Sequence, residues 1–201
     1  MEIPKAMQTK VFTNQYHRYG VHDDGSCFFH TICAALNLSN YRTKDLQARM
    51  RIGRQFRRVI QREISQQDWD QVWKNRKVNR SESNIPSLNT IKTMLGNHKT
   101  WADVYMILYT MDKMNLNMLF FDASSDQVYC GVRGMNSGQQ DTVLVMWVNH
   151  AHFEPIYRKS KKEGHDVFVY PTTDSDITRL MKLYHSEMCP GNQDNVNALL
   201  G

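Results

Sequence analysis

Residues 22–37, HDDGSCFFHTICAALN, join a turn-forming run of Asp, Gly and Ser to an apolar segment that predicts a helix. Cys27 stands at the boundary between the turn and the helix, whereas a buried structural cysteine usually lies inside an apolar pattern. Such a boundary is where a thiol becomes reactive. The rest of the sequence must therefore be searched for the groups that a reactive thiol needs.

A cysteine in the first turn of a helix faces the positive end of the helix dipole and unpaired backbone N–H groups, and both favour thiolate over thiol. Gly25 permits backbone conformations that other residues avoid, so the turn can aim its amides at one point. We predict a nucleophile at Cys27 and an oxyanion hole formed by Gly25 and Ser26. A lone cysteine that opens a helix is nevertheless more often structural than catalytic.

A catalytic thiol also needs an imidazole partner, and the chain contains eight histidines. The best placed are His150 and His152, because they adjoin a predicted strand that would hold a ring rigidly. Glu154 shares the strand face of His152 and could accept a hydrogen bond from its Nδ1, so His152 is the better base. A His-x-His pair could instead be half of a metal site, but no cysteine or carboxylate pair with ligand spacing accompanies it. We predict no metal and no cofactor.

Length and composition favour one soluble domain, since 201 residues with 41% hydrophobic content can bury one substantial core. We expect the core over about residues 11–172 and a C-terminal helix with a polar tail over 173–201. The sequence has no window of about 18 apolar residues and no secretory signal. We therefore expect a protein of the cytoplasm or the nucleus without a membrane partner. We also expect a monomer. The four cysteines form no CxxC pair, which disfavours a disulfide scaffold and a structural zinc site.

The net charge of +5 and the isoelectric point near 9.0 suggest an anionic partner, so nucleic acid must be considered. The segment 42–80 carries arginines at largely helical spacing: Arg49, Arg51, Arg54, Arg57, Arg58 and Arg62. Such a run is most often a solvated helix face, which we predict here. No RNP, zinc-finger or glycine-rich phosphate motif supports nucleic-acid binding. A basic, non-enzymatic nucleic-acid-binding module therefore remains an alternative hypothesis for the function.

The hydrophobic periodicity predicts helices first and strands later. A helix from Cys27 to about residue 38 is followed by a long helix with Thr43 as its N-cap. Polar residues over 75–97 predict a loop, and Thr100-Trp101-Ala102-Asp103 resembles a capping box before the next helix. Strands are predicted over 118–121, 127–132, 142–148, 152–157 and 167–170, and a last helix after 174. This order predicts an α+β domain with a largely antiparallel meander.

Asp24-Gly25-Ser26-Cys27-Phe28-Phe29-His30 resembles the Asp-Gly-Asn/Ser-Cys-Leu/Phe-Phe/Tyr-Arg/His signature of the ovarian tumour (OTU) family of cysteine proteases, which are mostly deubiquitinases. His152-Phe153-Glu154-Pro155-Ile156 is similar to the family's second landmark, a histidine followed by an aromatic and often an acidic residue. Between them, Thr100-Trp101-Ala102-Asp103 with the following helix and strand resembles the family's Trp-Gly-rich turn. The three landmarks occur in the family's order over most of the chain.

The resemblance implies a papain-like OTU fold with a central, mostly antiparallel sheet packed between helices. It makes Cys27 the nucleophile, His152 the general base and Glu154 the orienting carboxylate. Asp24 matches the motif aspartate, which usually shapes the oxyanion loop and in some members lies near the histidine. Trp101 falls where the family places a structural aromatic residue.

The activity implied by the resemblance is hydrolysis of isopeptide bonds after the C-terminal glycine of ubiquitin, with ubiquitin and polyubiquitin chains as partners. Compact OTU domains of this kind also occur in viruses, in which case the host cytoplasm is the expected location. A papain-like protease acting on a ubiquitin-like modifier would share Cys27 and His152, so that alternative stays open. The arginine helix and the polar segment 75–97 are the two candidates for part of the ubiquitin-binding surface.

Overall fold

The computed structural model describes residues 1–3, 12, 15–75, 85–123, 128–129, 141–149, 151–159 and 165–186. Its helices are α1 (Cys27–Ala35), a 3-10 helix (Leu38–Thr43), α2 (Leu46–Glu63), α3 (Gln66–Asn75), α4 (Leu88–Gly96), α5 (Val104–Met114) and α6 (Ser175–Ser186). Its strands are β1 (Tyr16–Arg18), β2 (Leu116–Asp122), β3 (Val128–Tyr129), β4 (Asp141–Val148), β5 (His152–Lys159), β6 (Asp166–Val167) and β7 (Val169–Tyr170). The main helices thus precede the main strands, as the sequence predicts.

The strands form one mixed sheet in the order β1-β5-β4-β2-β3, with β6 paired to β5 and β7 paired to β4. Five of these six pairings are antiparallel, but β2 and β4 pair in parallel along the full length of β2. The predicted α+β class with a mostly antiparallel sheet is confirmed. The simple meander is wrong, because β3 pairs with one edge of β2 while β4 pairs with the other.

Both faces of the sheet are covered by helices. On β2, Met118 and Phe120 belong to the core cluster that includes α1 to α5, whereas Leu119 and Phe121 belong to a second cluster that includes Ile177 of α6. Successive side chains of a strand point to opposite faces, so two-sided burial requires a continuous apolar run. This explains why β2 has no polar face, and it confirms the predicted packing of the sheet between helices.

Helix α1 has no solvent-exposed face. All nine of its residues are buried, and the helix packs against α2 and against β5. The Thr31 hydroxyl donates a 2.9 Å hydrogen bond to the Phe153 carbonyl of β5, which satisfies a polar group inside the core. The sheet and α2 therefore fix the position of α1 from two sides.

Two helices begin later than the sequence pattern predicts. Helix α2 is capped by Asp45, whose Oδ1 accepts a 2.8 Å hydrogen bond from the amide three residues on, while Thr43 ends the 3-10 helix. Helix α5 is capped in the same way by Asp103 at 2.8 Å, so Thr100 is not its cap. An ionised carboxylate also gains from the helix dipole, which explains why aspartate takes both cap positions.

The loop predicted over residues 75–97 is wrong in its second half, which forms helix α4. Ser87 caps this helix by accepting a hydrogen bond from the Thr90 amide at 3.1 Å, and Ile91 and Leu95 bury one side of it. The polar composition of the segment conceals an N-cap and an i, i+4 apolar pair that are both visible in the sequence. Helix α3 is likewise absent from the predicted elements.

Parts of two predictions lie outside the described residues. Of the strand predicted over 127–132, only Val128–Tyr129 is described. The polar tail predicted to follow the last helix lies outside the described residues, which end at residue 186. The strands predicted over 118–121, 142–148 and 152–157 correspond to β2, β4 and β5. Among the described residues, no helix is both long enough and apolar enough to cross a membrane.

Candidate active site

The structure places Cys27 beside the segment that carries His152. Cys27 is the first residue of α1, and 2% of its surface is exposed. Its Sγ lies 4.0 Å from the Ala151 carbonyl oxygen, and the Phe153 amide also approaches the sulfur. The predicted nucleophile and the start of β5 therefore meet, although 124 positions separate Cys27 from Ala151.

The imidazole of His152 lies between two carboxylates. Its Nε2 is 3.6 Å from Glu154 Oε1, and its Nδ1 is 3.5 Å from Asp23 Oδ1. We expect Glu154 to face Nδ1, but the structure places it at Nε2 instead. Within the described part of the chain, Nδ1 makes no hydrogen bond. The two contacts are long, as is common for catalytic groups before substrate binds.

Glu154 is buried and lies between the imidazole and a cation. Its Oε2 is 3.4 Å from Arg18 Nη1, on the neighbouring strand β1. Burial raises the pKa of Glu154, and the positive charge of Arg18 offsets part of that rise. Arg18 therefore helps to keep a charged carboxylate beside His152.

Burial lowers the pKa of the His152 imidazole below its ordinary value. The carboxylate of Asp23 opposes this shift, whereas the nearby His30, Arg18 and His22 add to it when they carry positive charge. The imidazole is therefore neutral at pH 7. A neutral imidazole is the form that can accept a proton from a thiol.

The Cys27 thiol is not acidified in this structure. Burial raises its pKa to about 11, and hydrogen bonds from the Phe153 and Phe28 amides offset only part of that rise. The carboxylates of Asp23 and Asp24 raise the pKa further. The shift is opposite to the expected stabilisation of the thiolate, because desolvation of the sulfur outweighs the hydrogen bonds from the two backbone amides. The free protein holds a neutral thiol.

The alkylation rate of Cys27 should consequently depend strongly on pH. Because only the thiolate reacts and the pKa is about 11, the rate with iodoacetamide should rise about tenfold per pH unit between roughly pH 7 and pH 9. Mass spectrometry of the Cys27 peptide after timed quenching measures this rate, and Cys27→Ala gives the background from the other cysteines. A rate independent of pH would reveal a preformed thiolate and contradict this account.

Asp24 faces away from His152 and organises the turn before the nucleophile. Its Oδ1 accepts a 2.8 Å hydrogen bond from the Ser26 amide and lies 3.3 Å from His30 Nε2, while its Oδ2 lies 3.1 Å from Arg54 Nη2. Burial alone would raise the pKa of Asp24, but the interactions with His30, Ser26 and Arg54 outweigh it and lower the pKa to about 2. Asp24 is therefore an anion that shapes the turn and does not contact His152.

The predicted oxyanion donors differ in their availability. The Ser26 amide donates to the Asp24 carboxylate, and the Cys27 amide donates to the Asp24 carbonyl at 2.9 Å. The Gly25 amide makes no hydrogen bond to the described residues. Of the two predicted oxyanion residues, Gly25 thus keeps a free donor and Ser26 does not.

Gly25 packs directly against the backbone of the segment before α5. A Cβ atom at this position would lie 2.5 Å from the His98 carbonyl oxygen and 2.5 Å from the Lys99 carbonyl carbon. Backbone atoms cannot move aside as a flexible side chain can. Glycine at this position is therefore required by close approach of two chain segments.

The arginine run is only partly a solvated face. Arg42, Arg49 and Arg57 all donate to backbone carbonyls, and Arg57 is buried. Arg58 and Arg62 lie on the exposed side of α2, where with Lys92 of α4 they line a groove of about 700 Å³. The prediction of a solvated face thus holds for Arg58 and Arg62 and is wrong for Arg57.

No protein-family model matches this chain, and no curated protein matches it. Among solved structures, it is similar to an ovarian tumour (OTU) domain in complex with ubiquitin, with 14% identity, a TM-score of 0.53, and coverage of 84% of this chain and 82% of that one. The chain has the OTU fold. It is also similar to the Hazara virus OTU bound to ubiquitin, with 11% identity, a TM-score of 0.48 and coverage of 74% and 85%. An OTU deubiquitinase from Wolbachia pipientis gives 15% identity, a TM-score of 0.43 and coverage of 74% and 94%.

Trp101 does not occupy the core of this OTU fold. It is 46% exposed and follows Thr100, whose carbonyl accepts a 2.7 Å hydrogen bond from Arg57. The expectation of a structural aromatic residue at this position is therefore wrong.

Three residues near the site are missing from the sequence prediction. Asp23 is visible there as half of an Asp-Asp doublet, whereas Arg18 and Arg57 carry no local motif that marks them. Their roles depend on which strands and loops the OTU fold brings together. The described residues contain no group of three His, Cys, Asp or Glu side chains that could hold a metal ion.

Proposed function

We propose that this protein is a thiol-dependent deubiquitinase that hydrolyses isopeptide bonds after the C-terminal glycine of ubiquitin. The observation that supports the proposal is the placement of Cys27 at the first turn of a buried helix, against the strand that carries His152, within an OTU fold. The solved OTU domain to which the chain is similar is in complex with ubiquitin. Ubiquitin and polyubiquitin chains are therefore the proposed partners.

The proposed reaction begins with proton transfer from Cys27 Sγ to the neutral imidazole of His152. The thiolate attacks the carbonyl carbon of the terminal glycine, and the Gly25 amide stabilises the resulting oxyanion. The imidazolium then gives its proton to the departing lysine amine as the C–N bond breaks, which leaves a thioester on Cys27. His152 next takes a proton from water, the hydroxide displaces the sulfur, and free thiol and ubiquitin carboxylate are released.

Proton transfer to His152 fits the protonation states of the free site. A thiol with a pKa of about 11 does not ionise spontaneously at neutral pH, so it needs a base when substrate arrives. Burial lowers the pKa of His152 and keeps the imidazole neutral and able to accept that proton. The charge of Glu154, 3.6 Å from Nε2, stabilises the imidazolium that forms.

The test of this function is cleavage of isopeptide-linked diubiquitin by the purified protein, followed by electrophoresis. We expect monoubiquitin to accumulate from at least one linkage type. If all linkages stay intact with folded protein, ubiquitin is not the substrate, and chains or fusions of ubiquitin-like modifiers come next. If the protein cleaves only such a modifier, its substrate is a ubiquitin-like modifier and not ubiquitin. The proposed roles of Cys27 and His152 would be unchanged.

Glu154 and Asp24 should differ in their effect on turnover. Glu154→Gln keeps the shape of the side chain but removes the charge that stabilises imidazolium, so kcat should fall about tenfold or more. Asp24→Asn keeps an acceptor for the Ser26 amide and removes the ion pairs with Arg54 and His30, so it should lower thermal stability and lower kcat less than Glu154→Gln does. Steady-state kinetics and thermal unfolding of both variants separate the two effects. If both variants keep full turnover, neither carboxylate orients the base.

A further inference from the structure

Arg57 is a buried cation that donates to four backbone carbonyls and to the Ser26 hydroxyl, 3.4 Å from Nη1. The side chain lies on α2 and is 1% exposed. It donates to the carbonyl oxygens of Gly25 at 2.6 Å, Thr100 at 2.7 Å, Leu95 at 2.8 Å and Met94 at 2.6 Å. It forms no ion pair with any described carboxylate.

Burying the charged guanidinium of Arg57 costs free energy, which its contacts with the surrounding backbone must offset. Burial lowers the pKa of its guanidinium to about 10, so the group stays charged at neutral pH and is removed from water. The carbonyls of Met94 and Leu95 belong to the last turn of α4, where the helix dipole favours a cation. The end of α4 thus supplies two of the four carbonyls that accept hydrogen bonds from Arg57. The other two belong to the segments that meet at the turn before Cys27.

One nitrogen of Arg57 joins these two segments. Nη1 donates both to the Gly25 carbonyl and to the Thr100 carbonyl. Because the peptide group is planar, holding the Gly25 carbonyl also fixes the direction of the Ser26 amide, which donates to Asp24. Arg57 thereby fixes the conformation of the turn from inside the protein.

Arg54 holds the same turn from the outside. It lies one helical turn before Arg57 on α2, so both side chains leave the same side of the helix. Its guanidinium contacts Asp24 Oδ2 at 3.1 Å from Nη2 and 3.2 Å from Nε. Helix α2 therefore grips residues 24–26 at the carboxylate of Asp24 and at the carbonyl of Gly25.

We propose that Arg54 and Arg57 are positioning residues that clamp the turn 24–26 and so place the Gly25 amide for the oxyanion of the reaction. Neither residue contacts Cys27 or the reacting carbonyl. The clamp acts through the turn, and its catalytic consequence rests on the proposed function. A loosened turn would misplace an oxyanion donor, which affects the transition state more than substrate binding.

The test compares Arg57→Met and Arg57→Lys with Ile60→Ala, measured at a temperature at which circular dichroism shows all variants folded. Ile60 is buried on the same helix, and its aliphatic side chain cannot hydrogen-bond to the turn, so it controls for lost stability. We expect Arg57→Met to lower kcat about tenfold or more with KM changed less than about threefold, and Arg57→Lys to recover part of the loss. Ile60→Ala should lower the melting temperature and leave kcat unchanged. Wild-type kcat in Arg57→Met would overturn the proposal.

A second readout does not depend on ubiquitin. If the clamp loosens, Cys27 becomes more accessible, and its alkylation by iodoacetamide at fixed pH should be about fivefold faster in Arg57→Met than in wild type or Ile60→Ala. Should the wild type fail to cleave ubiquitin while this difference persists, the proposed function is wrong and the clamp stands. Equal alkylation rates in all three proteins would overturn the clamp.

Arg54→Gln keeps the proposal testable if the Arg57 variants do not fold. Arg54 is partly exposed, so its loss should change the melting temperature little. We expect kcat to fall about threefold or more while KM stays near the wild-type value. An unchanged kcat would overturn the role of Arg54 and, without folded Arg57 variants, the proposal as a whole.

Discussion

Replacing Cys27 with alanine should reduce the turnover of ubiquitin chains by a factor on the order of 10⁴ or more. The reaction proposed here passes through a thioester on this sulfur, and Cys33, the other described cysteine, lies in a separate apolar cluster. Steady-state cleavage of a fluorogenic ubiquitin substrate measures the loss over several decades. Because the side chain is small and buried, Cys27→Ala should fold, and its circular dichroism spectrum should match the wild type.

Cys33 provides the matched control for that substitution. It is a buried cysteine on the same helix, in an apolar cluster with Ala34 and Tyr41. Burial raises the pKa of its thiol to about 12, so the thiol is neutral at pH 7, like that of Cys27. Cys33→Ala should keep kcat near the wild-type value. Loss of turnover in Cys33→Ala, or its survival in Cys27→Ala, would contradict the assignment of the nucleophile.

Replacing His152 with alanine should lower kcat by about 10²- to 10⁴-fold, the usual contribution of a positioned general base. The thiol of Cys27 would then have to ionise without help, against a pKa of about 11. Turnover by His152→Ala should accordingly rise with pH through the alkaline range. His17→Ala, which changes a histidine on β1 that packs against Tyr157, should retain full turnover.

The pH profile of the wild type gives an independent check on His152. Catalysis needs the neutral imidazole, so kcat/KM should fall as pH drops through the pKa of His152. Burial lowers that pKa from the ordinary value of 6.5, so the acid limb should lie below pH 6.5. An acid limb that persists unchanged in His152→Ala would assign the titration to another group.

The sequence patterns capture the α+β class because periodicity reports burial directly. The runs that form β2, β4 and β5 are apolar or alternating, and their positions are close to the predicted ones. The parallel pairing of β2 with β4 could not be predicted, because periodicity says which faces are buried and not which strand lies alongside. Helix α4 was obscured by its polar composition, although Ser87, Ile91 and Leu95 carry its signal.

The site is predictable where chemistry is local and unpredictable where it depends on packing. Cys27, His152 and Glu154 stand in short motifs, and the structure places His152 3.6 Å from Glu154 and Cys27 beside Ala151, the residue before His152. The sequence gives no sign that Arg57 is buried, because its partners come from segments 32 to 43 positions away. The high pKa of the Cys27 thiol likewise depends on packing against segments that are distant in the sequence. The helix N-terminus is visible in the sequence, but the burial that raises the pKa of Cys27 depends on the core that packs around the sulfur.

The most direct test of the central claim is incubation of the purified protein with ubiquitin that carries an electrophile at its C-terminus, followed by proteolysis and mass spectrometry. We predict one covalent ubiquitin per protein, attached at Cys27, with a rate that falls strongly in His152→Ala. Failure of the folded protein to form an adduct, or attachment at another cysteine, would contradict the claim that Cys27 attacks the ubiquitin C-terminus.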